Sequence, residues 1–116
     1  MVKRVVLIID DEVGILSLLS RFLKKKGFEV FTAESLREGK NQLGKINPDF
    51  LFLDVNLPDG NGLENLPEVK ESFPSLSIIM MSAFDHGEMR SKAKSKGALA
   101  FLSKPFSLSE IDQIVV

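Results

Sequence analysis

Val5 to Ile9 reads Val-Val-Leu-Ile-Ile, a strand-length run with no polar residue in it. A strand that is apolar on both sides of its pleat must be covered on both faces, and that is the habit of parallel sheets flanked by helices. Further strand-length runs, largely apolar but carrying Glu29, Thr32, Asp49 or Ser77, return at Phe28–Thr32, Asp49–Leu53, Leu76–Met81 and Ala98–Leu102. Between them the hydrophobic period changes from strand-like to helical. Ile15, Leu18, Leu19 and Phe22 share one helical face, Lys24-Lys25-Lys26 suit the negative end of that helix as a solvated last turn, and Gly27 closes it. Ser35-Leu36-Arg37-Glu38 is a capping-box pattern ahead of Leu36, Gly39, Leu43 and Ile46. Gly39 and Gly44 each weaken that second helix by about 1 kcal/mol relative to alanine. A third helix spans Leu63 to Phe73, ends at Phe73-Pro74, and tolerates Pro67 only in its first turn. Asp85 to Lys96 is the weakest helix, anchored by little more than Met89 and Ala93 and closed by Gly97. Ser107 or Ser109 opens a last helix that runs to Val116. This alternation predicts an α/β fold, a doubly wound parallel sheet in a single domain.

Composition narrows the chemistry. A chain of 116 residues, 44% hydrophobic and 27% charged, has material for one real core. It contains no cysteine, which removes disulfides, thiolate nucleophiles and Cys-zinc sites together. The single histidine, His86, leaves no basis for a His-rich metal site or a Ser-His-Asp triad and reads as a solvated helix-start residue. A net charge of −1 argues against nucleic-acid binding by the domain as a whole. No apolar stretch approaches the roughly 18 residues of a membrane span, and Met1-Val2-Lys3-Arg4 does not open a signal peptide. The expectation is a cytoplasmic protein without membrane contact.

Asp54 falls where the third strand meets Pro58-Asp59-Gly60-Asn61-Gly62, a dense turn signal. Taken alone, such an aspartate is as readily a turn cap as a site residue. Parallel strands, however, bring their carboxyl ends to one edge, where open α/β sheets keep their sites. The first, third, fourth and fifth strands deliver Asp10-Asp11, Asp54, Ser82 and Lys104 to that edge. Two carboxylates about 4 Å apart repel by about 4 kcal/mol at an effective dielectric of 20, so such a cluster calls for a cation. Oxygen donors without histidine or cysteine favour Mg2+, Mn2+ or Ca2+ over zinc. With a lysine and a hydroxyl added, the matching chemistry is phosphoryl transfer, and an aspartate can serve as its covalent nucleophile. Neither G-x-x-x-x-G-K-[ST] nor G-x-G-x-x-G is present, so nucleotide binding is not indicated.

Ile8-Ile9-Asp10-Asp11-Glu12, Leu53-Asp54-Val55-Asn56-Leu57-Pro58 with Gly62, Met81-Ser82-Ala83, and Phe101-Leu102-Ser103-Lys104-Pro105-Phe106 together resemble the receiver domain of two-component response regulators. The resemblance covers nearly the whole chain and implies a flavodoxin-like, five-stranded sheet of order 2-1-3-4-5. It implies that Asp54 is the phosphoacceptor. It also implies that Asp11, Asp54 and the backbone carbonyl of Asn56 bind Mg2+, with Asp10 acting through a metal-bound water and Mn2+ able to substitute. Ser82, standing where the family often has threonine, and Lys104 are implied as donors to the phosphoryl oxygens. Phe101 takes the place of the family's switch aromatic, although on a strand it is equally a core residue. Glu12 is open between a contact to metal-bound water and a partner for the helix dipole. The Lys104-Pro105 bond is expected to be cis.

The implied function is a phosphorylation-dependent switch without conventional turnover, charged by a sensor histidine kinase and acting on an output domain, with a phosphorylation-dependent homodimer as a further possibility. Two alternatives stand beside it. One is a phosphatase of the haloacid-dehalogenase type, opposed by the early acidic pair, by Asn56 and by the lack of length for a cap. The other is a phosphorylation-independent interaction module. The apolar ending Ile114-Val115-Val116, with no stop signal or basic residue after it, leads to the expectation that residues 1–116 are a receiver whose last helix is cut short.

Overall fold

The computed structural model describes residues 3–84 and 87–115. Along the chain run β1 (Val5–Ile9), α1 (Val13–Lys25), β2 (Glu29–Ala33), α2 (Leu36–Ile46), β3 (Phe50–Asp54), the short strands β4 (Asn56–Leu57) and β5 (Gly60–Asn61), α3 (Gly62–Ser72), β6 (Ser77–Ser82), α4 (Gly87–Ser95), β7 (Ala100–Ser103) and α5 (Leu108–Ile114). Five strands form one parallel sheet in the order β2-β1-β3-β6-β7, which is the expected 2-1-3-4-5 once β4 and β5 are set aside. Those two pair antiparallel as a separate ribbon. Among the described residues no helix is long and apolar enough to cross a membrane.

The both-face burial read from the strand runs has a direct counterpart in two cores. Leu7, Ile9, Leu51, Leu53, Ile78 and Met80 point to one side, against Leu36 and Leu43 of α2 and Leu66 and Val69 of α3. Their neighbours Val6, Ile8, Phe52, Ile79 and Met81 point to the other, against Leu16, Leu19 and Leu23 of α1 and Ile111 of α5. Each such fully buried side chain contributes roughly 1.5–3 kcal/mol against the entropy of ordering it. The sheet is thereby a rigid base for whatever its upper edge carries.

Several local expectations shift. The ladder reaches further than the apolar runs: Asp54 pairs with Met81 and Ser82 with Ser103, so both are the last residues of strands and not loop residues. The second strand starts and ends one residue later than expected, and the fifth is confined to Ala100–Ser103. Pro67 lies inside α3 beyond its first turn, so the Leu63 carbonyl goes without the usual amide partner. Burial of Leu63, Leu66 and Val69 holds the helix across that gap. Ser107 is the residue that opens α5, through a complete capping box with Glu110. The expected starts and ends at Asp85, His86 and Val116 lie outside the described residues.

The end of α5 is also not without a cationic partner. The Arg4 guanidinium donates to the Val115 carbonyl at 3.0 Å and packs over the rings of Phe28 and Phe50, 5.4 and 5.2 Å from their centroids. The basic residue absent from the local sequence is supplied from the far end of the chain.

Candidate functional site

The carboxyl ends of β1, β3, β6 and β7 converge as the strand order requires. Asp10, just past β1, keeps the ladder going by donating its N–H to Ala33 at 3.0 Å and is fully buried. Its Oδ1 accepts the Glu12 N–H at 2.9 Å. Its Oδ2 lies 2.8 Å from Lys104 Nζ but outside hydrogen-bonding geometry, which leaves it a buried oxygen without a hydrogen bond. Asp54 ends β3, buried, with Oδ1 3.3 Å from the same ammonium. Lys104 is itself placed by a β7–β6 contact, its N–H bonding the Ser82 carbonyl at 2.8 Å, and the peptide bond that follows it is cis.

Charge in this cluster is unevenly accommodated. Burial, then repulsion from Asp10, raises the Asp54 pKa from its ordinary 3.8 to about 6, against the opposing pull of Lys104. Burial alone would lower the Lys104 pKa. Its close ion pair with Asp10, its hydrogen bond to Glu12 and the charge of Asp54 overcome that and carry it above the ordinary lysine range. The site therefore holds its lysine firmly charged and one of its carboxylates under electrostatic strain.

Glu12, left open in the sequence between a contact to metal-bound water and a partner for the helix dipole, has a third partner in the structure. It is the N-cap of α1, makes no side-chain cap, and turns its carboxylate to Lys104 Nζ at 2.7 Å. Oxygens of Asp10, Glu12 and Asp54 all lie within 4.8 Å of one another. The one available signal was an acid directly after the Asp10-Asp11 pair, at the point where α1 begins. Asp11 is exposed and lies outside this trio.

Ser82 is fully buried and its Oγ accepts the Phe84 N–H at 3.0 Å, a bond that still leaves the hydroxyl hydrogen to donate. Asn56 is exposed on the β4–β5 ribbon, opposite Asn61. Phe101 is half-buried on β7. The Arg90 guanidinium lies 5.2 Å from its ring centroid and donates to the Phe101 carbonyl at 3.4 Å and to Ser103 Oγ at 2.8 Å. Of the expected site residues, Asp10, Asp54 and Lys104 thus meet directly and Ser82 joins through the backbone of Lys104, while Asp11, Asn56 and Phe101 are not part of that cluster.

The donor set is of one kind. Carboxylate oxygens, one of them buried without a hydrogen bond, suit a hard divalent cation, and among the described residues the cluster holds no histidine or cysteine. A buried carboxylate beside a fixed ammonium and a fixed hydroxyl is equally suited to carry a phosphoryl group.

Known proteins agree with this geometry. The family model described as "Response regulator receiver domain" matches residues 6–116. Sporulation initiation phosphotransferase F of Bacillus subtilis is 32% identical, over 99% of this chain and 93% of its own length. KDP operon transcriptional regulatory protein KdpE of Escherichia coli is 35% identical over 91% of this chain, which spans only 47% of that longer protein. Among solved structures, a chain of the CheX-CheY-BeF3-Mg+2 complex from Borrelia burgdorferi superposes with a TM-score of 0.90 at 28% identity, covering 97% of this chain and 86% of that one. Fold, site and family model coincide: the chain belongs to the response regulator receiver domains.

Proposed function

We propose that Asp54 is the phosphoacceptor of this receiver, charged by a sensor histidine kinase in the cytoplasm and read by an output domain. The observation that carries the proposal is the Asp54 carboxylate itself, buried at a strand end, 3.3 Å from Lys104 Nζ and clustered with two further carboxylates. In the transfer an Asp54 carboxylate oxygen attacks phosphorus. The P–N bond to the donor imidazole breaks, its electron pair stays on nitrogen, and an acyl phosphate remains on Asp54. Asp11, Asp54 and the Asn56 carbonyl would hold Mg2+ directly, and Asp10 through a water. Bound there, Mg2+ supplies neutralisation of the charge that gathers between acceptor and phosphoryl oxygens, and Mn2+, of similar ligand preference, can replace it.

The remaining work falls to the chain's own groups. Lys104 exchanges part of its contact with Asp10 and Glu12 for a phosphoryl oxygen, and the Ser82 hydroxyl donates to another. Pulling these two inward moves the ends of β6 and β7, where Phe101 and its partner Arg90 lie. A change at Asp54 is thereby passed to the surface of α4 and β7 for a partner to read.

Incubation with acetyl phosphate and Mg2+ followed by intact mass is the test. One added phosphoryl group, about 80 Da on a single carboxylate, supports the reading, and no adduct rejects it. Asp11→Ala should weaken Mg2+ binding, followed by calorimetry, by at least about tenfold through loss of a direct carboxylate ligand. Unchanged affinity would remove Asp11 from the ligand set.

A further inference from the structure

We infer that Asp59 is a positioning residue for the Mg2+ site, tying the ribbon that carries Asn56 to the start of α2. The inference rests on the proposed role of the Asn56 carbonyl as a ligand. Asp59 sits in the turn between β4 and β5, and both of its carboxylate oxygens are engaged. Oδ1 accepts the Leu36 N–H at 2.8 Å and Oδ2 the Arg37 N–H at 2.9 Å. These are the first two amides of α2, which have no partner within their own helix. The local cap Ser35 takes a different amide, that of Glu38, at 3.2 Å. Helix α2 is therefore capped twice, once from its own chain and once from the connection between β3 and α3.

The second cap does more for the ribbon than for the helix. β4 and β5 have two residue pairs between them, Asn56 with Asn61 and Leu57 with Gly60, too few to be stable alone. The ribbon is held from outside at both ends of its turn. Asn61 Oδ1 fastens it to α3 by accepting the Glu64 N–H at 3.0 Å, and Asp59 fastens it to α2. Close packing accompanies the second tie: a Cβ on Gly60 would stand 2.8 Å from Leu36 Cδ1. The two amide bonds also hold the Asp59 carboxyl below its ordinary pKa, so it stays charged and bonded at neutral pH.

A backbone carbonyl has no rotamers with which to find a metal. Its direction is set by the dihedral angles of the ribbon, and Mg2+ demands near-ideal octahedral geometry. Groups that orient a ligand count nearly as much as the ligand. With both oxygens on amides, Asp59 acts through the ribbon and is not itself a ligand.

The test compares Mg2+ affinity by calorimetry with thermal melting for the parent, Asp59→Ala, Asp59→Asn and Ser35→Ala. Asp59→Ala should weaken Mg2+ about tenfold, the lower end of what loss of an orienting partner costs. Asp59→Asn keeps one acceptor oxygen and should fall between parent and Asp59→Ala, which carries the test if the alanine variant does not fold. Ser35→Ala removes a cap from the same helix without touching the ribbon, so it should lower the melting temperature and leave the affinity unchanged. Equal Mg2+ affinity in the parent and both Asp59 variants, or an equal loss in Ser35→Ala, reduces Asp59 to a helix cap and overturns the inference. A parent that binds no Mg2+ overturns the proposed metal site and this inference with it.

Discussion

Asp54→Asn, treated with acetyl phosphate and Mg2+, gains no adduct and yet melts higher than the parent in metal-free buffer at about pH 7.5. The two halves of this result share one cause. The carboxylate is placed where chemistry needs a charge and where burial and Asp10 oppose it. Its folded-state pKa of about 6 lies above the ordinary 3.8, so between these values the native protein holds the proton that the unfolded chain has lost. Stability falls as pH rises through that interval, and above it the full cost remains. A shift of this size corresponds to roughly 1–3 kcal/mol once solvent at the site edge is allowed for. Asparagine forfeits the 3.3 Å contact with Lys104, but that attraction is smaller than the burial and repulsion it offsets. The gain should be several degrees at about pH 7.5 and should fade as pH is lowered towards about 4. Mass spectrometry and melting curves at several pH values check both parts. An adduct retained on Asp54→Asn moves the phosphoacceptor elsewhere, and an equal or lower melting temperature denies the strain on Asp54.

The parts of this architecture that could be read in one dimension are those that repeat or that end a run. Val5–Ile9 and its counterparts announce two-face burial, and their polar ends announce Asp10, Asp54, Ser82 and Lys104, because a parallel sheet can only bring those ends together. What could not be read depends on partners distant in sequence. Arg4 serves a carbonyl 111 positions away. Asp59 looks like one more turn residue until α2 is seen to lie beside it. The β4–β5 ribbon is too short to have a period at all. Gly39 falls on the apolar face of the helix pattern and Gly44 off it, but how tightly each is packed is visible only in three dimensions. A Cβ on Gly39 would meet Ile9 Cδ1 at 2.2 Å, whereas Gly44 faces open space. Pro67 shows propensity overruled by tertiary burial.

Gly62→Ala should be the most damaging single-methyl addition at the site. The backbone of Gly62 has an ordinary negative φ, so the cost is not conformational. It is one of space: the new Cβ would stand 2.1 Å from the Asp54 carbonyl oxygen and 3.1 Å from its carbonyl carbon. Neither atom belongs to a side chain that can swing aside. Gly62 is also bound to Val55, donating to its carbonyl at 2.7 Å, while Val55 donates to Met81 at 2.9 Å. Relief therefore requires either α3 to pull away or the end of β3 to leave the ladder. A clash that backbone must absorb costs about 3 kcal/mol or more, at the upper end for overpacking, and lowers the melting temperature by roughly 10 °C in a domain of this size. Gly44→Ala is the counterpart, the same methyl on a helix with nothing within 4 Å of it. It should stabilise by about 0.4–1 kcal/mol through helix propensity and the restricted unfolded chain. Urea unfolding of the two variants separates space from propensity. Parent-like stability of Gly62→Ala would mean that the β3–α3 junction yields, and a junction that yields cannot be what fixes Asp54. Where relief comes from the end of β3 and not from α3, the folded fraction should be phosphorylated more slowly than the parent, because the methyl then displaces Asp54, the proposed phosphoacceptor.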